Sequence, residues 1–194
     1  FQQLPTAGLP YTTVDSWGAF ERYVADMLHT GVIDEVDEVR WDIRPAPRFG
    51  TIEMRIFDGV TNAGELASLV ALAHCLVEYL SRKIDAGEPL PAISPWFLSE
   101  NKWRAARYGM EAIIILDESG TEELVTGALD RLVADLGPVA ADLGCERELA
   151  GVREIIRLGA SYQRQRQVFE RGGFEAVVAH LVAEFAEGRP LPVS

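Results

Sequence analysis

Residues 38–44 and 51–57 alternate polar and apolar side chains, whereas most of the chain beyond residue 60 repeats its apolar residues every three or four positions. Period two belongs to strands and period 3.6 to helices, so this change of period bounds the fold. It predicts an α+β class, with small antiparallel hairpins packed with a helix-rich remainder. The two alternating runs are joined by "PAPRFG", residues 45–50, which reads as a longer hairpin turn.

The same alternation sorts the side chains. Trp41, Ile43, Ile52, Met54 and Ile56 fall on one face, and Arg40, Asp42, Arg44, Thr51, Glu53 and Arg55 on the other. In a direct hairpin Arg44 lies across from Glu53 and Asp42 from Arg55, or one step over. Either register leaves an arginine in excess. Arginine forks bind phosphate and carboxylate oxygens in pairs, so the face suits an anionic ligand. A solvated cross-strand ladder of salt bridges accounts for the pattern equally well.

Helical punctuation organises the rest. Asp15 or Ser16 can cap a helix running through Trp17, Phe20, Tyr23, Val24 and Met27 or Leu28, with Gly31 as its stop. Residues 61–87 open on a Thr61/Asn62 cap and close on Arg82, Lys83 and Gly87, which predicts the longest helix, backing the sheet. Residues 87–95 are a linker, and Pro95 and Gly109 bracket a further helix. A second hairpin follows over 111–125, turning at 117–120, and then helices over 126–143, 146–158, 160–171 and 174–187.

Charge narrows the function classes. With 30 acidic against 18 basic residues the formal net charge is −12, which disfavours a nucleic-acid partner. The 48% hydrophobic content is that of an ordinary globular chain. The apolar stretch 66–77 is too short to cross a bilayer, so no membrane partner is expected. Cys75 and Cys145 lack metal-ligand spacing and fit a reducing cytoplasm, with Cys75 a buried thiol. His29, His74 and His180 have no partner spacing, and phosphate-loop, nucleophile-elbow and zinc signatures are absent from the sequence. The opening "FQQLPTAGLPY" reads as the middle of an irregular segment, so a fragment is expected.

The runs "RWDIRPAPRFGTIEMRIFDG", "WFLSENKWRAARYGMEA" and "GASYQRQR", in that order, with "QQLPTAGLPY" before them, resemble the carboxyl-terminal half of bacterial ATP-dependent carboxylate-amine ligases, the second class of glutamate-cysteine ligases. The resemblance implies that residues 1–194 are the carboxyl-terminal part of a single glutamine-synthetase-like catalytic domain, in which an antiparallel sheet forms a funnel. It implies the joining of L-glutamate to an amine, L-cysteine, with ATP and Mg2+, through a γ-glutamyl phosphate. Carried over by position, Glu53 becomes a magnesium ligand and Arg55 and Arg44 the catalytic clamp. Arg48 and Arg40 become nucleotide contacts, joined by Asn101 and Arg104 of "ENKWR" and Arg164 and Arg166 of "SYQRQR", which can equally buttress the sheet. The family's amino-terminal half, with most metal carboxylates, is missing, so the site needs it as a partner. A homo-oligomer is expected, and a non-catalytic nucleotide- or amino-acid-binding homologue, or a ligase for another amine, are the alternatives.

Overall fold

The computed structural model of the chain describes residue 4 and residues 6–193, so part of the opening segment, residues 1–3 and 5, lies outside the described residues. The chain divides into two compact units, Phe1–Gly59 and Val60–Ser194.

The first unit holds α1 (Trp17–His29), a 3-10 turn (Val36–Glu38) and a hairpin of β1 (Ile43–Ala46) and β2 (Thr51–Met54). Ser16 caps α1 by accepting from the Ala19 amide, and Gly31 follows the helix at φ 69°. Phe20, Ile33, Val39 and Trp41 form the core, with Tyr23, Val24 and Met27 packed on it. Tyr23 and Trp41 stack with ring centroids 4.8 Å apart.

The hairpin is antiparallel, with Arg44 opposite Glu53 and Ile43 opposite Met54. Both strands are shorter than the alternation suggests. Residues 36–38 turn, and Trp41 makes a parallel bridge to Gly8 before β1 begins. The expected division into an apolar and a charged face is also corrected. Trp41 and Arg44 are buried, whereas Ile43, Ile52 and Ile56 are exposed. Trp41 precedes the strand and packs on α1, so its burial does not carry its strand neighbours inward with it.

The second unit holds α2 (Ala63–Asp85), α3 (Pro95–Tyr108), a hairpin of β3 (Ile113–Ile115) and β4 (Glu122–Leu124), then α4 (Val125–Asp135), α5 (Gly137–Leu143), α6 (Glu146–Leu158) and α7 (Ser161–Glu187). Asn62 caps α2 by accepting from the Glu65 amide. α2 is the longest continuous helix, as expected, because the 27-residue α7 is broken at Gly173. Its chief partners within the second unit are the helices α5 and α6 rather than a strand, which corrects the expectation that α2 backs a sheet. Ala71 and Cys75 on α2 meet Val133, Leu136, Val139, Ala140, Leu149 and Val152 in the larger core. By length and composition α2 could also span a bilayer, which the stretch 66–77 alone had understated; its inward face packs this core.

The single helix expected over 126–143 is two, because Gly137 and Pro138 interrupt it. α7 in turn is broken at Gly173, which adopts φ 66°, ψ −161° between the two helical stretches read from the sequence. Cys75 is fully buried and its Sγ lies 3.5 Å from that of Cys145, both thiols free. Burial and Cys145 together push the Cys75 thiol up to about 11.

Candidate functional site

In the first unit, the charged side of the β1–β2 hairpin is built around Glu53. Arg44 donates through Nε and Nη2 to Glu53 Oε2 at 3.0 and 2.7 Å, and Arg55 Nη1 donates to Glu53 Oε1 at 2.8 Å. One carboxylate is bracketed by two guanidinium groups. The hydrogen bond from Arg44 is the chief cause that holds the Glu53 carboxyl below its usual range, with Arg55 adding to it.

The two arginines differ in freedom. Arg44 is buried, and its Nη1 also donates to the Val39 carbonyl at 2.8 Å and to the Asp37 carbonyl, so its donors are used within the unit. Arg55 has a side chain 35% exposed and pairs with the Glu53 carboxylate through Nη1, which leaves guanidinium edges that solvent can reach. Arg48 in the hairpin turn stacks over Phe49, 5.6 Å from Cζ to the ring centroid, and makes no ion pair among the described residues. Arg40 lies near Glu38, with Nη2 3.7 Å from Oε1. The structure thus brings Arg44, Glu53 and Arg55 together, with Arg48 and Arg40 flanking them on the same segment.

These donors suit an anion. Two arginines around one carboxylate leave a positive excess, and Arg55 and Arg48 keep faces that a phosphate or carboxylate oxygen can reach. They do not make a magnesium site by themselves. Both Glu53 oxygens are taken by arginine, and no group of three or more His, Cys, Asp or Glu among the described residues is placed to hold a metal.

The remaining sequence candidates lie in the second unit and play other parts. Asn101 donates to the Ile115 carbonyl and accepts from the Ile115 amide, both at 2.8 Å, pinning α3 to β3. Arg104 joins the same hairpin, donating to the Ile113 carbonyl at 3.0 Å and to Glu122 at 2.6 Å, and also pairs with Glu100 at 2.9 Å. Arg104, Tyr108, Glu111, Ile113 and Glu122 line a cleft of about 400 Å³. Tyr162 donates to Glu111 and accepts from the Met110 amide, and Arg166 stacks over the Tyr162 ring at 5.0 Å. "ENKWRAARYG" and "SYQRQR" therefore meet. Gly109, at φ 56°, is required there, because a Cβ would run into the Tyr162 hydroxyl.

Arg164 goes elsewhere. It is fully buried and saturated: Nε donates to Glu184 Oε1 at 2.6 Å, Nη1 and Nη2 to the two Glu65 oxygens at 2.9 Å, and Nη1 also to the Gly159 carbonyl. Burial pushes Glu184 up, but Arg164, Thr61 and the Leu191 amide outweigh it and hold the carboxyl at about 2. His180 Nε2 lies 3.1 Å from the same Glu184 oxygen. Neither carboxylate was singled out from the sequence. The signal was there: Glu65 shares the inward stripe of an apolar helix with Ser68, Ala71 and Cys75, and Glu184 interrupts an apolar run.

Comparison with known proteins adds to this geometry. Residues 1–180 match the sequence profile described as glutamate-cysteine ligase family 2. A protein of Mycobacterium sp. strain KMS provisionally named glutamate-cysteine ligase 2-1 is 61% identical over 186 residues, covering 95% of this chain and 49% of the relative. One from Mycobacterium ulcerans strain Agy99, provisionally named glutamate-cysteine ligase 2, is 58% identical over 95% of this chain and 47% of its own length. One from Clavibacter sepedonicus, of the same provisional name, is 56% identical over 97% of this chain and 49% of its own. The chain spans about half the length of the curated relatives it matches.

Proposed function

Because the chain belongs to glutamate-cysteine ligase family 2, a family of carboxylate-amine ligases, we propose that it carries part of an ATP-dependent ligase site that joins L-glutamate to L-cysteine. The observation that carries this reading is the hairpin on which Arg44 and Arg55 bracket Glu53. ATP supplies the phosphoryl group that activates the γ-carboxylate of glutamate, and the amine then displaces phosphate to leave an amide. Such a reaction asks the protein chiefly to hold anionic oxygens and to neutralise charge.

The division of labour follows from exposure. Arg44, buried under Glu53 and tied to the Asp37 and Val39 carbonyls, fixes the carboxylate in place. Arg55, held from one side by Glu53, presents its remaining donors to a phosphate or substrate carboxylate, with Arg48, stacked over Phe49, as a second cation. Arg40 extends the basic edge. Glu53 is a metal ligand only if further carboxylates join it, and in this proposal they come from the part of the family's length outside this chain. Strands from that part also pair the open edges of β1 and β2 within a glutamine-synthetase-like funnel. Arg104 lines the second unit's cleft, Asn101 pins β3 to α3, Arg166 stacks on Tyr162, and Arg164 is left out of the nucleotide set. A cytoplasmic setting fits the two free thiols.

The test is amine-dependent ADP release with magnesium, glutamate and cysteine, using the 194-residue chain alone and a full-length family chain that includes this segment. The full-length chain is expected to turn over and the 194-residue chain to be silent. Glu53→Gln in the full-length chain keeps the shape and removes the charge, and is expected to lower turnover by about 100-fold or more. Wild-type turnover in that variant, or robust turnover by the short chain, overturns the assignment.

A further inference from the structure

The two thiols of the second unit take no part in the proposed ligase site. Cys75 stands midway along α2, fully buried in the core that Val133, Leu136, Val139 and Leu149 complete. Cys145 occupies the junction between α5 and α6, where it is the N-cap residue of α6 and half-buried. Its thiol makes no capping hydrogen bond, and its partner is the Cys75 sulfur, 3.5 Å away. The backbone beside it has room: Gly144 holds a left-handed φ of 67°, and a Cβ there would meet nothing within 4 Å.

The pair is chemically asymmetric. Burial, and then the neighbouring thiol, push Cys75 up to about 11, so it stays protonated and out of reach of reagents in solution. Cys145 is the sulfur that a small oxidant reaches first. Once oxidised, Cys145 has its resolving thiol already in contact, and this proximity offsets the poor nucleophilicity of a protonated thiol.

We propose that Cys75 and Cys145 are an oxidative modification site, at which a peroxide drives a reversible disulfide that locks α2 to the start of α6. In the first step hydrogen peroxide transfers one oxygen to the Cys145 sulfur, giving a sulfenic acid and releasing water. In the second the Cys75 sulfur attacks the Cys145 sulfur, the S–O bond breaks, and the hydroxyl leaves as water with the Cys75 proton. The two thiols lose two electrons and the peroxide gains them. The sulfurs close from 3.5 Å to about 2.05 Å, a movement that rotation of the Cys145 side chain and the open junction at Gly144 supply. The bond joins residues 70 positions apart, so it closes a long loop in the unfolded chain and disfavours unfolding of the second unit's core. A thiol pair that merely packs gives no such lock.

Treating the reduced 194-residue chain with hydrogen peroxide tests this. The expected product is a monomer lighter by two hydrogens, with both thiols lost to alkylation, a Cys75–Cys145 linked peptide on digestion, unchanged helical circular dichroism, and full reversal by dithiothreitol. The urea midpoint of the oxidised chain should rise by about 1 M. Cys75→Ser removes the resolving thiol, so peroxide should carry Cys145 on to the sulfinic acid. Cys145→Ser should leave the Cys75 thiol intact under the same treatment. A wild-type chain that keeps both thiols, that goes directly to the sulfinic acid at Cys145, or that links only between copies overturns the proposal. So does a disulfide that leaves the urea midpoint unchanged or lowers it.

Discussion

Glu53 and Arg164 sit at the centres of two ion clusters with opposite stoichiometry. In the first unit one carboxylate is held by two arginines, at a hairpin surface where Arg55 remains partly exposed. In the second unit one arginine is held by two carboxylates, Glu65 and Glu184, with all three side chains buried. The sealed cluster ties the start of α2, both helical stretches of α7 and the segment at Leu191 into one structure, and it has no open donor for a ligand. The open cluster leaves a positive excess where solvent and an anion can reach it. Burial therefore separates a structural arginine from a candidate binding arginine, though both stand in arginine-rich motifs of the sequence.

Breaking the sealed cluster should have the largest effect on stability. Arg164→Met leaves two carboxylates buried without their cation, and a loss of roughly 3–5 kcal/mol in urea unfolding is expected. A loss below about 1 kcal/mol would mean that Glu65 and Glu184 are not buried as a pair around it. Acid probes the same cluster from the carboxylate side. Glu184 titrates at about 2 in the folded chain against an ordinary value of 4.5, so the folded state favours its ionised form. That stability is fully present above pH 4.5 and is lost as the pH falls toward 2, amounting to roughly 3 kcal/mol. Glu184→Gln should remove this part of the acid dependence; an unchanged profile would show that other carboxylates govern acid unfolding.

The open cluster should behave differently. Glu53→Gln keeps an acceptor for Arg44, which still donates to the Val39 and Asp37 carbonyls, so stability should change by less than about 1 kcal/mol. A loss as large as that of Arg164→Met would erase the distinction between the two clusters and make the hairpin face structural.

The sequence made one cluster visible and hid the other for a physical reason. Alternation and the turn narrow the pairing to Arg44 opposite Glu53 or one step over, because hairpin register is local, and the structure has the first of these registers. Local chemistry likewise announced the Ser16 and Asn62 caps and the break near Gly173. The Arg164 cluster joins residues 99 and 20 positions apart, and no local rule links Glu65 to Glu184. Period two also misplaced the hairpin's faces. It counted Trp41 with Ile43, Ile52 and Ile56, whereas Trp41 packs against α1 and the isoleucines remain exposed. What alternation cannot say is where a strand starts or what covers it.

The ladder and the anion wall diverge most sharply at Arg55, whose exposed edges do nothing in a ladder and hold the ligand in a wall. The decisive measurement is kcat/KM for amine-dependent ADP release by a full-length family chain carrying Arg55→Lys, beside its unfolding midpoint. Lysine keeps the charge and the ion pair with Glu53 but lacks the two-pronged fork. The account predicts a fall of about 100-fold in kcat/KM with stability unchanged within about 0.5 kcal/mol. Wild-type kcat/KM in Arg55→Lys would contradict it and return the Arg44–Glu53–Arg55 face to a solvated salt-bridge ladder.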